Sequence, residues 1–178
     1  MNDSNENKGG EGCNCDYTLA FLVLRGWLAV RALLTGIEKF GAYQSVSVPV
    51  IDPATGQPDA SGVMMNVNVK HYALANYAGI PTGLRGKFQY EPFLPHPLLN
   101  IFDHLLGPAL IATGLMLLLG LGTRISLFIQ GLLYIALTVG LIIIKQDDGI
   151  SWLGSHVALV AFALVLVRHN KLAILKKW

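Results

Sequence analysis

Four long apolar segments run through this chain, and their length limits its fold more than any other feature. They cover residues 17–40, 98–121, 124–145 and 150–167. A helix needs about 20 mostly apolar residues to cross the hydrocarbon core of a bilayer, because each residue advances it by about 1.5 Å. Backbone groups in lipid must also bond within their own segment, which favours helices. The sequence therefore predicts an all-α membrane protein, a bundle of four transmembrane helices in a lipid bilayer.

The composition of the 178 residues excludes several other classes of protein. Hydrophobic residues make up 53% and charged residues 13%, against about 25% charged residues in soluble proteins. The net charge of +2, without a long basic run, gives no support for binding to nucleic acid. Both cysteines, Cys13 and Cys15, lie in the polar segment 1–16, which we predict to be a disordered cytoplasmic tail. Two such residues do not make a disulfide scaffold.

The polar stretch 41–97 is too long for a tight connection and carries its own pattern. Two runs of alternating apolar residues, 46–50 and 63–69, flank a turn-rich segment at 52–56. This pattern predicts a β-hairpin outside the lipid. The second half, 72–93, is rich in aromatic residues and glycine, and we expect it to lie along the membrane surface.

Lysine and arginine near the span ends predict the orientation of the bundle. One side carries six of these residues, namely Lys8, Arg124, Arg168, Lys171, Lys176 and Lys177, and the other carries five. The C-terminal cluster is dense and close to the last span, so the positive-inside rule places both termini in the cytoplasm. The segment 168–178 then forms a basic cytoplasmic tail, and 41–97 is an extracytoplasmic insert.

Ionisable residues inside the spans are candidates for function, because a charge in hydrocarbon costs about 2.5 kcal/mol or more. Arg31, Thr35 and Glu38 share one face of the first helix, and we expect Arg31 and Glu38 to pair inside the bundle. Asp103 is an alternative partner for Arg31. Arg25 can instead extend to the cytoplasmic headgroups.

A second group of polar residues should meet near the outer end of the bundle. Asp103, His104 and His156 each lie a turn or two inside a span, level with Glu38 and Lys39. We expect the two histidines to face each other and to bind a quinone head or relay protons, with Asp103 orienting one imidazole or accepting a proton. Hydrogen bonding between helices is the simpler interpretation. Haem b and metal sites are disfavoured, because no short haem signature or dense ligand spacing is present.

The third span carries a polar stripe at steps of four residues, formed by Gln130, Tyr134 and Thr138. Such a stripe is typical of hydrogen bonding between helices. Gln130 and Tyr134 are also candidate quinone-binding residues, together with Arg31 and Lys39.

Parts of the chain resemble the DoxX family of membrane proteins. In the first span Arg25 is followed eleven residues later by Gly36 and fourteen later by Lys39, and the turn ending at Arg124 is similar to the family's connection between spans two and three. The layout of four spans with an insert after the first is similar to the DoxD branch, the small subunit of thiosulfate:quinone oxidoreductase. The chain departs from the family where His156 stands in place of an acidic residue and where Asp103 comes early.

The resemblance implies an inner-membrane subunit of a bacterial redox complex that is linked to quinone and works with other membrane or extracytoplasmic redox subunits, as a homo- or hetero-oligomer. It does not imply the thiosulfate reaction. The alternative is a non-catalytic assembly subunit whose insert, 41–97, docks an extracytoplasmic partner.

Overall fold

The computed structural model describes residues 7–53, 55–59, 61–92, 94–171 and 174, with the backbone alone for 7–14 and 82. Within these residues the chain forms five α-helices and one pair of strands. In chain order they are α1 (Asn7–Glu38), β1 (Gly41–Pro49), β2 (Met64–Tyr72), α2 (Thr82–Gln89), α3 (His96–Leu119), α4 (Thr123–Ile143) and α5 (Asp147–Leu166). Short 3-10 turns at Leu74–Asn76 and Val167–His169 follow β2 and α5.

Four helices are long and apolar enough to cross a membrane, as the sequence predicts. The candidate spans are Cys15–Glu38, His96–Leu119, Thr123–Ile143 and Asp147–His169. The helix containing the first span begins at Asn7, so the expectation of a disordered tail is wrong for residues 7–16. The polar start of α1 continues a hydrogen-bonded helix that the apolar segment already stabilises. Residues 1–6, the rest of that predicted tail, lie outside the described chain.

The four spanning helices pack as a ring in which α1 contacts α3, α3 contacts α4, α4 contacts α5, and α5 returns to α1. Close approach of α1 and α3 depends on glycine. A Cβ at position 114 would lie 2.9 Å from the backbone nitrogen of Leu33, and one at position 36 would lie 3.0 Å from that of Ile111. Small residues of this kind let two backbones touch in a membrane. The buried core between the helices includes Phe21, Leu28, Leu106, Leu110 and Leu127.

The connection between α3 and α4 is a tight glycine turn. Gly120 has a φ of 74° and Gly122 a φ of 50°, a left-handed conformation that favours glycine. The Gly120 N–H donates to the Leu117 carbonyl, and the Leu121 N–H donates to that of Met116. These bonds close α3 with a Schellman-type cap and reverse the chain within three residues.

The predicted hairpin is present between the first two spans. β1 and β2 pair antiparallel from Gly41 opposite Tyr72 to Pro49 opposite Met64, in register without a bulge. The second half of the insert adds the short helix α2, which the sequence analysis did not predict. Phe88 of α2 is buried with Ile80 and Leu99 in a small second core, which holds this part of the insert against α3.

Candidate functional site

The residues predicted to form one site do not lie together: most belong to two separate clusters, and Glu38 and His104 belong to neither. The insert-side cluster, where the insert meets α3, consists of Lys39, Arg85 and Asp103. The inner cluster, among α1, α4 and α5, consists of Arg31, Gln130, Tyr134, Trp152 and His156.

Asp103 is buried and fully engaged by the insert. One carboxylate oxygen accepts a hydrogen bond from the Ile80 N–H at 2.6 Å, and the other lies 3.0 Å from Nη1 of Arg85. The expectation that Asp103 orients an imidazole is therefore wrong, and so is the alternative pair with Arg31. The carboxylate instead fastens the insert to α3, since both of its oxygens hold insert groups.

Tyr77 of the insert contacts the backbone of α3 next to Asp103, where Pro108 interrupts the hydrogen bonding of the helix. Pro108 lacks an N–H, so the carbonyl of His104 loses its usual partner in the helix. The Tyr77 hydroxyl lies 3.0 Å from that carbonyl and 2.5 Å from the carbonyl of Asp103, and it accepts a hydrogen bond from the Gly107 N–H at 3.1 Å. The Tyr77 hydroxyl thereby supplies hydrogen bonds to the backbone groups of α3 around Pro108.

A cavity of about 450 Å³ lies beside the insert-side cluster, between α2, α3 and α4. Its walls are apolar and include Ile80, Phe88, Leu99, Phe102, Leu106 and Leu137. Lys39 is the one charged side chain among the described residues that line it. The volume falls within the range of about 300–1,000 Å³ that is usual for small-molecule sites.

The surroundings of Lys39 favour a ligand with a hydrogen-bond acceptor. Burial lowers the pKa of Lys39 from its ordinary value, and the negative charges of Asp103 and Glu38 oppose that shift only in part. An acceptor placed in the cavity would compensate the desolvated ammonium. The cavity and its lysine can therefore hold a molecule with an apolar body and an acceptor at one end.

Glu38 does not belong to the interior of the bundle. Its side chain is 60% exposed, and its carboxylate lies 3.4 Å from Nζ of Lys70 on β2. The predicted inner pair of Arg31 and Glu38 is wrong. Glu38 is the last residue of α1 and its carboxylate reaches water. A charge is better solvated there than inside the bundle.

Arg31 lies instead over an aromatic ring that the sequence analysis did not single out. Its guanidinium carbon is 5.4 Å from the centroid of the Trp152 ring, a cation–π distance. Trp152 in turn contacts His156, with ring centroids 5.2 Å apart. An aromatic residue one turn before a buried histidine on the same helix is the signal that could have identified Trp152.

Gln130, Tyr134 and His156 form the buried part of the inner cluster. Gln130 Nε2 donates to the Leu28 carbonyl at 3.1 Å and to the Tyr134 hydroxyl at 2.8 Å. The rings of Tyr134 and His156 meet edge to face, with centroids 5.7 Å apart. Gln130 is fully buried and the other two side chains are nearly so, and the Gln130–Leu28 bond is of the kind expected for this stripe, a hydrogen bond between helices.

His104 is separate from both clusters. It is exposed on α3, and its Nδ1 lies 2.8 Å from the carbonyl of Asn100, one turn earlier on the same helix. The expectation that His104 and His156 face each other is wrong, because α3 and α5 lie diagonally across the ring and His104 points outward. In the described part of the chain, no group of three His, Cys, Asp or Glu residues could hold a metal ion.

Arg25, one of the four residues carried by the family resemblance, closes the opposite end of the bundle. Its guanidinium donates to the carbonyls of Leu117 and Leu118 at 2.6 and 3.0 Å, and to the side chain of Asn170 at 3.1 Å. Arg25 is buried, so it does not simply extend to the headgroups. Instead it caps the C-terminal end of α3, where carbonyls that lack their usual partner four residues later and the helix dipole favour a cation.

Searches for similar proteins found no match to this chain among family models, curated proteins or solved structures. The resemblance to DoxX-type proteins stays a prediction from the sequence.

Proposed function

We propose that this chain is a DoxX/DoxD-like membrane subunit of a quinone-linked redox complex, and that it binds a quinone in the cavity beside Lys39. The observation that carries the proposal is an apolar cavity of about 450 Å³ with one ammonium group in its lining. Lys39 is also the one predicted quinone-binding residue that lies at this cavity.

The chemistry of a quinone suits this arrangement. Its ring and isoprenoid chain are apolar, and its carbonyl oxygens accept hydrogen bonds. An ammonium donor in a desolvated place forms a charge-assisted bond to such an acceptor, stronger than a neutral one. Asp103 is held by Arg85 and Ile80, so in this proposal it supplies a fixed negative charge near Lys39 and does not react.

The bilayer offers a route to the cavity. Two of its lining side chains, Leu98 and Val139, are 54% and 51% exposed on the outside of α3 and α4. A ligand dissolved in lipid would therefore enter sideways between these helices. The two electrons and two protons that convert a quinone into a quinol would come from the rest of the complex and from water.

Photolabelling tests this function. The purified full chain in lipid nanodiscs is titrated with an azido-ubiquinone, and labelled peptides are identified by mass spectrometry. We expect label on the cavity walls of α3 and α4. Lys39→Met should weaken saturation about 10- to 100-fold, because a hydrogen bond to a charged group contributes about 1.5–3 kcal/mol.

Two further variants sharpen the result. Gly140→Leu adds a side chain beside the cavity, where a Cβ would meet Phe88 at an ordinary 3.5 Å, and should block labelling without removing a charge. Lys145→Met removes an exposed lysine at the end of α4 and should leave labelling unchanged. Equal saturation of wild type, Lys39→Met and Gly140→Leu would refute quinone binding at this cavity.

A second candidate function, docking of an extracytoplasmic partner, is favoured by the hairpin. β1 and β2 are mostly exposed on both faces, and an isolated two-stranded hairpin is marginally stable in water. The pairing puts apolar side chains on one face and serine and asparagine on the other. The apolar face carries Val46, Val48, Met65, Val67 and Val69. A partner covering this face would stabilise the hairpin.

Matched changes on the two faces test docking. Val46→Thr with Val67→Thr alters an opposed pair on the apolar face, and Ser45→Thr with Asn68→Thr alters the neighbouring pair on the polar face. If the hairpin docks a subunit, only the first double variant should lose that subunit when the complex is purified from native membranes. Retention of the full complex by both variants would contradict docking through the apolar face.

A further inference from the structure

Two buried acceptor atoms of the inner cluster have no hydrogen-bond partner among the described residues. They are Oε1 of Gln130 and Nε2 of His156. Gln130 is fully buried and His156 is 4% exposed. A buried acceptor that forms no hydrogen bond is costly, and such groups usually bind an internal water or a ligand.

The identity of both atoms follows from their neighbours. The Leu28 carbonyl can only accept a hydrogen bond, so the Gln130 atom 3.1 Å from it is the amide nitrogen, and the atom on the other side is the oxygen. The Trp152 carbonyl, 2.9 Å from Nδ1 of His156, likewise requires Nδ1 to carry the proton. In a neutral ring Nε2 is then a bare acceptor.

Two aromatic side chains, Trp152 and Tyr134, border the ring of His156. The Arg31 guanidinium lies over Trp152, which itself contacts His156. Tyr134 is the other titratable group that faces the ring. Its hydroxyl accepts from Gln130 Nε2, and its own proton is available to donate.

We propose that His156 Nε2, Gln130 Oε1 and the Tyr134 hydroxyl form a binding site for one buried water molecule inside the bundle. The hydrogen-bonding capacity of one water matches the two bare acceptors and the one available donor of this site. A water donates two hydrogen bonds, one to each bare acceptor, and accepts one from Tyr134. This gives about three bonds, the usual number for an internal water. The water would connect α4 to α5, and through Gln130 to the Leu28 carbonyl of α1.

Nitrogen NMR on the wild-type chain tests this site without a destabilising change. The full chain, labelled with ¹⁵N-histidine and reconstituted in lipid, should give a His156 Nε2 signal of an unprotonated but hydrogen-bonded nitrogen that correlates with water protons. His104 is the internal reference, because its Nδ1 faces a backbone carbonyl in the same way while the ring is exposed. A His156 Nε2 signal with no hydrogen bond and no water correlation would overturn the proposal.

Two further measurements make the result decisive. The signal is assigned by its loss in His156→Phe or, if that variant does not fold, by its persistence when the other four histidines are replaced by Gln. Decylubiquinol, whose hydroxyl is also a donor, is then added to the wild-type protein. If the hydrogen-bonded signal arises only with decylubiquinol, the donor is a quinol hydroxyl and the water site is refuted. An unchanged signal supports the water.

Discussion

Replacing Arg25 should destabilise the bundle more than replacing any exposed basic residue. The guanidinium forms hydrogen bonds to two carbonyls at the end of α3 and to Asn170 beyond α5. Asn170 also donates to the Thr123 hydroxyl at the start of α4 at 3.0 Å. Through these contacts Arg25 of α1 links the C-terminal end of α3, the N-terminal end of α4 and the segment after α5.

The expected magnitude follows from these contacts. Hydrogen bonds inside membrane proteins contribute about 0.6 kcal/mol on average and up to about 1.7 kcal/mol. These three bonds therefore give about 2–5 kcal/mol. Arg25→Met keeps most of the apolar stem and loses these three bonds, so it should lose about this amount. Arg25→Lys keeps the charge but cannot place several donors in a planar fork, so we expect an intermediate loss.

The assay is unfolding by SDS in mixed micelles, followed by far-UV circular dichroism. Arg124→Met is the matched control, since Arg124 is exposed at the first turn of α4, near the same end of the bundle. The order of stability should be wild type and Arg124→Met, then Arg25→Lys, then Arg25→Met. If Arg25→Met unfolds at the same SDS concentration as Arg124→Met, the cap on α3 does not stabilise the fold and the reasoning fails.

Three other predictions concern the insert, the helix contact and pH. Tyr77→Phe should cost about 1–3 kcal/mol, measured by the same unfolding, and less when Pro108→Ala restores the missing N–H; equal losses in both backgrounds would contradict this role. Gly114→Ala should cost about 1–3 kcal/mol because its Cβ meets the α1 backbone, whereas Gly26→Ala, with nothing within 4 Å, should not destabilise. The lowered pKa of Lys39 means that its ammonium is lost below the ordinary lysine range, so azido-ubiquinone saturation should weaken as pH rises and stay flat in Lys39→Met. The free energy of unfolding should instead rise with pH, because the unfolded chain keeps the Lys39 proton to a higher pH than the folded chain does.

The sequence predicts the spans and the hairpin because both depend on local patterns. Segment length and apolar content decide whether a helix can cross lipid, and the alternation of apolar residues at 46–50 and 63–69 indicates two paired strands. That Gln130 and Tyr134 share one helix face also follows from their spacing of four.

The partners of the ionisable residues could not be predicted in the same way. Asp103 could have met Arg31 or an imidazole, and it meets Arg85 because α2 folds back onto α3. Glu38 and Arg31 share a helix face, yet one reaches Lys70 and the other Trp152. Long charged side chains can reach several groups within a turn of their own position, so spacing leaves the choice open.

What the sequence alone determines is how the chain divides between lipid and water, because transfer of apolar segments depends on their composition and length. Only the tertiary structure decides that α3 and α5 lie diagonally, which separates His104 from His156, and that α2, α3 and α4 leave a cavity beside Lys39. Those outcomes depend on which helix faces touch. Glycines such as Gly36 and Gly114 allow the backbones of α1 and α3 to approach closely. The spacing of residues along the sequence does not show which helices come together in this way.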